Sequence, residues 1–172
     1  MQNTVDSSKV IFLDVDGVLN DAATEDRTPD GFIGLSDAMI SNLERIVKQT
    51  NAKVVLVSTW KSELDALEQN RTPDGEYLDK HLKEHGIMIS DKTIDRVSDR
   101  GNGIVTWLKT HPEVKSWIVL DDDVFFDYHH LGIMPHLIRT RYCYGGLTYE
   151  LADQAIAKLN DTGSQCAAQF FC

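Results

Sequence analysis

Three mainly apolar runs, each followed by a polar residue, constrain the fold of this chain most strongly. They span Lys9–Leu13, Ala52–Val57 and Ser116–Leu120. An apolar run of this length without alternation is typical of a strand buried on both faces, as in a parallel sheet. Shorter strands are predicted at Ile87–Ile89 and His136–Arg139. The sequence therefore predicts a parallel sheet as the centre of the molecule.

Segments with apolar residues at helical spacing lie between the predicted strands. One helix begins after Ser36, its predicted N-cap. The other predicted helices span Glu63–Gln69, Tyr77–Glu84, Gly103–Lys109 and Thr148–Leu159. The residues Thr72-Pro73-Asp74-Gly75 are expected to break the chain between two of them. This alternation predicts an α/β fold: a three-layer, Rossmann-like parallel sheet with helices on both faces.

The length and composition fit one domain. The chain has 172 residues, 42% of them hydrophobic, which is enough for one core. We expect an N-terminal tail over residues 1–8, the folded domain over 9–160, and a flexible C-terminal tail over 161–172. A net charge of −10 disfavours nonspecific attraction to nucleic acid or to anionic membranes.

Targeting signals and cysteine pairs are missing from the sequence. We find neither a signal-peptide core nor an apolar stretch long enough to span a membrane. The three cysteines include no Cys-x-x-Cys pair, which argues against a zinc site and suits a reducing compartment. The sequence thus predicts a soluble, cytoplasmic protein without a membrane partner.

Polar side chains follow each of the three clearest strands. Asp14, Ser58 and Asp121 are placed at strand carboxyl ends, where sheets of this kind bind their ligands. Asp16 lies two residues beyond Asp14, and Gly17 permits an abrupt turn there. Carboxylates gathered at one edge form the hard, oxygen-rich site that Mg²⁺ prefers. We therefore expect a magnesium site at this edge, with Asp14 and Asp16 as its first ligands.

Such a site suits chemistry on a phosphate ester. Bound Mg²⁺ reverses the local negative charge, so that Asp14 can attack phosphorus as a nucleophile. Asp16 is then the general acid and base, and Ser58 a donor to the phosphoryl group. Arg100 opens a predicted helix 21 residues before Asp121, where its charge and the helix N-terminus both favour an anion.

Several of these assignments have competitors. Asp122 is our first choice and Asp121 our second for the remaining metal ligand, whereas Asp123 is expected to cap the following turn. Thr59 competes with Ser58 as the phosphate-binding hydroxyl. Lys92 competes with Arg100 as the phosphate-binding cation. Asp127 is expected to hold the loop after the acidic run or to support the site from behind the metal ligands.

Taken together, these segments resemble the haloacid dehalogenase-like hydrolases. The first family motif matches Asp14–Val18, and the second matches the strand Val54–Ser58. Arg100 is chosen for the third motif, and Ile118–Asp123 matches the fourth. The resemblance implies a magnesium-dependent phosphatase that works through an aspartyl-phosphate intermediate.

More narrowly, the chain resembles the small phosphatase-like domain of multidomain Swiss Army Knife RNA-repair proteins. This match rests also on Ser58–Lys61, on Arg100-Gly101 with Trp107-Leu108, and on Gly146–Thr148. It implies nucleotides or polynucleotide ends as substrates. Lys61 stands where that subgroup often has arginine, so we leave it outside the catalytic set.

The stretch between Asn20 and Lys53 is too short for a folded cap domain, which predicts no cap or a minimal one. Uncapped relatives use large substrates or oligomerise to cover the site, so an oligomer is compatible with the sequence. Two alternative functions stay open: a small-metabolite phosphatase, and a noncatalytic interaction module with the same fold.

The remaining aromatic and histidine residues have plainer interpretations. Trp60, Trp107 and Trp117 are expected to pack in the core and not to stack on bases. His129 and His130 are expected to be solvated loop residues and not metal ligands, because no third ligand lies at suitable spacing.

Overall fold

Five parallel strands form a single sheet at the centre of the protein. The computed structural model describes residues 6–64, 67–95 and 99–161. The strands are β1 (Asp6–Leu13), β2 (Ala52–Leu56), β3 (Ile89–Lys92), β4 (Ser116–Asp121) and β5 (Leu137–Arg139), in the order β3-β2-β1-β4-β5. All neighbouring strands pair in parallel. The predicted α/β fold is confirmed.

The second half of the central strand β1, Val10–Leu13, is continuously apolar because it is buried on both faces. Val10 and Phe12 point into the core on one face of the sheet, whereas Ile11 and Leu13 point into the core on the other. All four side chains are fully buried. Successive residues of a strand face opposite sides, so a strand covered on both sides leaves no position for a polar residue.

Helices cover both faces of the sheet and give the fold its three layers. One face is covered by α1 (Asp37–Thr50), α2 (Pro73–Glu84) and α5 (Tyr149–Asn160). The other face is covered by α3 (Arg100–Lys109) and the short α4 (Phe126–His130). Short 3₁₀ turns occur at Thr59–Ser62, Glu68–Asn70 and Met134–His136.

The segment expected to break the chain begins a helix instead. Thr72 is the N-cap of α2 and accepts a hydrogen bond from the backbone N–H of Gly75 (3.1 Å). Pro73 occupies the first helical position, where its missing N–H costs nothing. The prediction of a helix that begins only at Tyr77 was therefore wrong by one turn.

The helix predicted over Glu63–Gln69 is replaced, in the described residues, by the two 3₁₀ turns at 59–62 and 68–70. Residues 65–66 lie outside the described residues. The carbonyl of Glu63 accepts from the backbone N–H of Thr72 (3.2 Å). Lys92 Nζ donates to the carbonyls of Lys61 (3.0 Å) and Leu64 (2.6 Å). The carbonyls of Glu63 and Leu64 are acceptors that a regular helix over residues 63–69 would need, and groups distant in sequence occupy them.

Strand β3 begins two residues later than predicted. The backbone N–H of Ile87 donates to the carbonyl of Leu82 (2.9 Å), so this residue closes the end of α2 and does not join the sheet. No helix within the described ranges is long and apolar enough to cross a membrane. The predicted domain limits stay a prediction, and the C-terminal tail beyond Asp161 lies outside the described residues.

Candidate active site

Backbone hydrogen bonds align the carboxyl ends of the three central strands. The N–H of Asp14 donates to the carbonyl of Leu120 (2.9 Å), and the N–H of Val57 donates to the carbonyl of Leu13 (2.9 Å). Asp14 therefore lies beside the end of β4 on one side and the end of β2 on the other. The expected convergence of polar residues at one sheet edge follows from this alignment.

Three carboxylates meet at this edge. Asp14, Asp121 and Asp122 each place one oxygen within 4.8 Å of the others'. Asp14 and Asp121 are 6% and 0% exposed, respectively, whereas Asp122 is half-buried. Three anionic oxygens of this kind fit a hard divalent cation such as Mg²⁺. Both candidates from the acidic run, Asp122 and Asp121, belong to this group, and the choice between them stays a prediction.

Gly17 allows Asp122 to approach the cluster. Its φ angle is +73°, and a Cβ atom added to it would overlap the carboxyl group of Asp122. The hydroxyl of Thr140 donates to the carbonyl of Gly17 (2.7 Å), and the N–H of Thr140 donates to the carbonyl of Asp121 (2.9 Å). The turn after β1 is thus fixed against the end of β4.

Arg100 is a buried cation between two of these acids. Its Nη1 lies 2.9 Å from Asp14 Oδ2 and 2.8 Å from Asp121 Oδ2, and the residue is 5% exposed. The guanidinium also stacks over the ring of Phe125, 4.4 Å from its centroid. Arg100 begins α3, so the helix places this charge beside the strand ends. The structure thereby brings the predicted arginine to the predicted nucleophile.

The environment of the cluster disfavours the ionised forms of Asp121 and Asp122. Burial and, after it, the charge of the nearby Asp14 raise the pKa of Asp121 to about 7, although Arg100 opposes the shift. Burial, followed by the charges of Asp14 and Asp123, also raises the pKa of Asp122. A bound cation would relieve this like-charge repulsion, which agrees with the fit of the three oxygens to a metal ion.

Asp121 is fixed by two further groups. The hydroxyl of Tyr128, a fully buried residue of α4, donates to Asp121 Oδ2 (2.9 Å). The N–H of Asp123 donates to Asp121 Oδ1 (3.0 Å). Asp123 itself points away, since its Oδ1 accepts from the N–H of Val124 (2.7 Å). This is the local turn that the sequence predicts for Asp123.

Asp16 lies outside the three-carboxylate cluster and is exposed. Its Oδ2 accepts from the indole Nε1 of Trp60 (2.9 Å), and its Oδ1 accepts from Nδ2 of Asn20 (2.9 Å). Asn20 Oδ1 in turn accepts from the N–H of Gly17 (2.9 Å). The Asp16 side chain is therefore oriented away from the cluster, and its role as a metal ligand stays a prediction that this geometry does not support.

The competing phosphate-binding residues are distributed differently. Ser58 is fully buried at the end of β2, and its Oγ accepts from the N–H of Trp60 (3.4 Å). Thr59 is exposed. Lys92, the alternative to Arg100, donates to backbone carbonyls, and Lys61 pairs with Asp95 (2.5 Å). Of the two candidate cations, the structure places Arg100 at the acidic cluster.

Sequence reasoning missed several supporting side chains. Trp60 packs in the core as expected but also holds Asp16, and neither Tyr128 nor Asn20 had a predicted role. Asp127, by contrast, was expected to support the loop or the site: its Oδ2 accepts from the N–H of Asn102 (2.9 Å) and so holds the first turn of α3. The roles of Trp60, Tyr128 and Asn20 depend on contacts between residues that are far apart on the chain or lie in a loop. The spacing of residue types in the sequence gives no signal for such contacts.

The tryptophan and histidine residues outside the cluster occupy two kinds of position. Trp107 and Trp117 are buried and stack on His111 and His136 respectively, with ring centroids 3.6 Å apart in both pairs. His130 and its neighbour His129 are exposed on α4.

A cleft of about 510 Å³ opens beside Asp16. A small hairpin over residues 27–33, closed by a bridge between Arg27 and Ile33, forms one wall. The turn at 59–62 and the start of α2 form the others. The lining residues are Asp16, Asp30, Phe32, Ile33, Thr59, Trp60, Ser62, Glu63, Asp74 and Tyr142.

Comparison with known proteins points to one family. The sequence model described as the HAD domain in Swiss Army Knife RNA repair proteins matches residues 10–152. A solved structure from Legionella pneumophila, described as a HAD superfamily (subfamily III A) hydrolase, superposes with a TM-score of 0.45 and 16% identity over 92% of this chain and 87% of that chain. No curated protein sequence matches.

Proposed function

We propose that this chain, which belongs to the family of HAD domains in Swiss Army Knife RNA repair proteins, is a magnesium-dependent phosphomonoesterase that works through an aspartyl-phosphate. Membership of the family identifies it as a HAD superfamily hydrolase. The observation that supports the finer activity is the cluster of Asp14, Asp121 and Asp122, with Arg100 bridging the first two. A nucleophile, an acidic cation site and a fixed positive charge thus share one sheet edge.

The metal site in this proposal consists of Asp14, Asp121 and Asp122. When bound, Mg²⁺ neutralises the carboxylates and the phosphoryl oxygens, so that an anionic nucleophile can approach an anionic substrate. Arg100 holds Asp14 by its 2.9 Å contact and adds positive charge to the same region. Tyr128 and the Asp123 N–H keep Asp121 in one orientation.

In the first proposed step, a carboxylate oxygen of Asp14 attacks phosphorus. A bond forms between that oxygen and phosphorus, and the bond from phosphorus to the ester oxygen breaks. Asp16, entering in its protonated form, gives its proton to the departing alcohol. Ser58 contributes a hydrogen bond to the transferring phosphoryl group.

In the second proposed step, Asp16 accepts a proton from a water molecule as the water oxygen attacks phosphorus. The bond between phosphorus and Asp14 breaks, which releases inorganic phosphate and restores both side chains. The contacts of Asp16 with Trp60 and Asn20 hold its carboxylate at the cleft, and this orientation suits an acid that must meet the leaving group.

The family description favours nucleotides or polynucleotide ends as substrates. The cleft of about 510 Å³ beside Asp16 has the size of a small-molecule site, which favours the second candidate, a small-metabolite phosphatase. The carboxylates of the buried cluster repel one another, which lowers the stability of the fold. A cluster of this kind disfavours the third candidate, a noncatalytic module, because such a module needs no metal site.

The test is hydrolysis of p-nitrophenyl phosphate with and without Mg²⁺. We expect turnover that depends on Mg²⁺ and a phosphorylated Asp14 peptide after acid quenching. Asp14→Asn should abolish both signals. Asp123→Asn is the matched control, because this neighbouring acid lies outside the cluster, and it should retain turnover.

Turnover retained by Asp14→Asn would refute the nucleophile. Absence of turnover across a panel of phosphate esters, together with no Mg²⁺ binding by calorimetry, would instead support the noncatalytic module.

A further inference from the structure

The cleft beside Asp16 is the place for the leaving group, on the premise of the proposed function. The general acid must contact the ester oxygen that departs. Asp16 lines the cleft, whereas Asp14, Asp121 and Asp122 do not. A phosphate bound at the acidic cluster would therefore direct its alcohol portion into this space.

Aromatic side chains line the cleft. Phe32 is 67% exposed on the 27–33 hairpin, and Trp60 and Tyr142 also contribute to the lining. The backbone of Phe32 is held in place here: its N–H donates to Oγ1 of Thr28 (3.1 Å), and its carbonyl accepts from the N–H of Thr28 (3.0 Å). Aromatic faces in a cleft bind flat rings and organic cations.

Uncompensated negative charge also lines the cleft. Besides Asp16, which is protonated in the first proposed step, its lining includes the acids Asp30, Glu63 and Asp74, and it includes no lysine or arginine among the described residues. None of these three acids forms an ion pair within the described part of the chain. Their charges therefore add to a negative potential inside a concave surface, which concentrates cations and repels anions.

The acids differ in whether their carboxylate oxygens already accept hydrogen bonds from the protein. Glu63 accepts from the hydroxyls of Ser62 (3.1 Å) and Thr72 (2.8 Å), and buried Asp74 accepts from the N–H of Asp30 (3.0 Å). The carboxylate of Asp30 itself is exposed and has no hydrogen-bond partner in the ranges that the structure describes. Asp30 is thus positioned by its backbone and leaves its charge available to a ligand.

We propose that this cleft selects phosphate monoesters whose leaving group carries an aromatic ring and a positive charge, and that it rejects leaving groups with a further anionic group. Aromatic faces and free carboxylates both favour a cation, whereas a second phosphate would meet the three acids Asp30, Glu63 and Asp74 without a compensating lysine or arginine from the described lining. The proposal narrows the substrate class toward small esters and away from polynucleotide ends, in which a phosphodiester lies near the terminal phosphate.

The test uses two aryl phosphates that share the phenylethyl frame and carry opposite charges at its end: the phosphate ester of tyramine, which carries an ammonium group, and that of 3-(4-hydroxyphenyl)propionate, which carries a carboxylate. We expect kcat/KM for the ammonium ester to exceed that for the carboxylate ester by about tenfold at low salt. The preference should shrink in high salt because the charges are partly exposed.

Two substitutions assign the preference to the cleft. Asp30→Lys should bring the ratio of kcat/KM values close to one, and Asp30→Asn should give an intermediate ratio. Glu113→Lys is the control: it makes the same charge change on an exposed residue near the amino end of β4, at the opposite edge of the sheet. It should keep the wild-type ratio.

Equal hydrolysis of the two esters, or a preference that Asp30→Lys leaves unchanged, would overturn this inference while the proposed phosphatase activity stands. Hydrolysis of neither ester by a protein that does hydrolyse p-nitrophenyl phosphate would overturn this inference alone, whereas failure with all phosphate esters, together with no Mg²⁺ binding, would overturn the proposed function as well. A ratio that falls equally in Asp30→Lys and Glu113→Lys would refute the assignment to the cleft, since it would mean that overall charge sets the preference.

Discussion

Replacing Arg100 by methionine removes the guanidinium that separates Asp14 from Asp121, while it keeps a side chain of similar length. One nitrogen of Arg100 lies 2.9 Å and 2.8 Å from the two carboxylates, and all three residues are buried. Removing one partner from a buried ion pair costs about 3–5 kcal/mol, because the remaining charge stays out of water. We expect metal-free Arg100→Met to lose this amount of unfolding free energy near neutral pH.

The loss should depend on pH in a defined direction. The pKa of Asp121 is raised to about 7 from a usual value of 3.8, so its ionised form destabilises the fold, and stability falls as pH rises through this interval. Without Arg100 the pKa should rise further, and the fall in stability should continue to higher pH. The penalty relative to wild type is therefore larger at pH 8.5 than at pH 5.5.

Urea denaturation in EDTA measures this penalty. Arg141→Met is the matched control, because Arg141 is exposed, and surface substitutions usually change stability by about 0.5 kcal/mol or less. Adding Mg²⁺ should return more stability to Arg100→Met than to wild type, since the ion would supply the missing positive charge. A loss below about 1 kcal/mol at both pH values would refute the view that Arg100 compensates two buried charges.

Two further predictions test other parts of the structure. Gly17→Ala should lower the free energy of unfolding by about 1–2 kcal/mol, because φ is +73°. It should also weaken Mg²⁺ binding measured by calorimetry, since the new methyl group displaces Asp122; unchanged affinity would contradict this role of Gly17. His85 bonds Glu44 and Asp37 (2.9 Å each), which raise the pKa of His85 above 6.5. Its stabilising contribution is therefore full below about pH 6.5 and is lost as pH rises through the raised pKa, so His85→Gln should reduce stability more at pH 5.5 than at pH 8.5; equal losses would be inconsistent with the ion pairs.

The central strands could be predicted because burial on both faces removes polar residues from them. β3 was harder to place, since this edge strand is only partly covered and includes Ser90 and Asp91. The start of α2 was missed because Thr72-Pro73 is both a turn signal and a good helix beginning. Local sequence does not decide between those interpretations; the contacts of Thr72 with Glu63 do.

The positions of the site residues followed from the same logic. A residue after a buried parallel strand must lie at the carboxyl edge, so Asp14, Ser58 and the acidic run after β4 were expected there. The orientation of Asp16 was not predictable, because it depends on the indole of Trp60, 44 residues away. The charge of the cleft was equally hidden, since it depends on how a loop, a turn and a helix meet.

The position of β1 at the centre of the sheet also has a consequence for how the chain is made. Its second neighbour is β4, in which Trp117 is the partner of Val10. At about 5–20 residues per second, a ribosome takes on the order of ten seconds to synthesise the chain between these two residues. Until then the apolar β1 has an open edge that can pair with another nascent chain. Lys9 and Asp14 bracket this apolar run, and charges in such positions discourage aggregation. We therefore expect Asp14, the proposed nucleophile of the folded protein, also to reduce aggregation of this strand during synthesis.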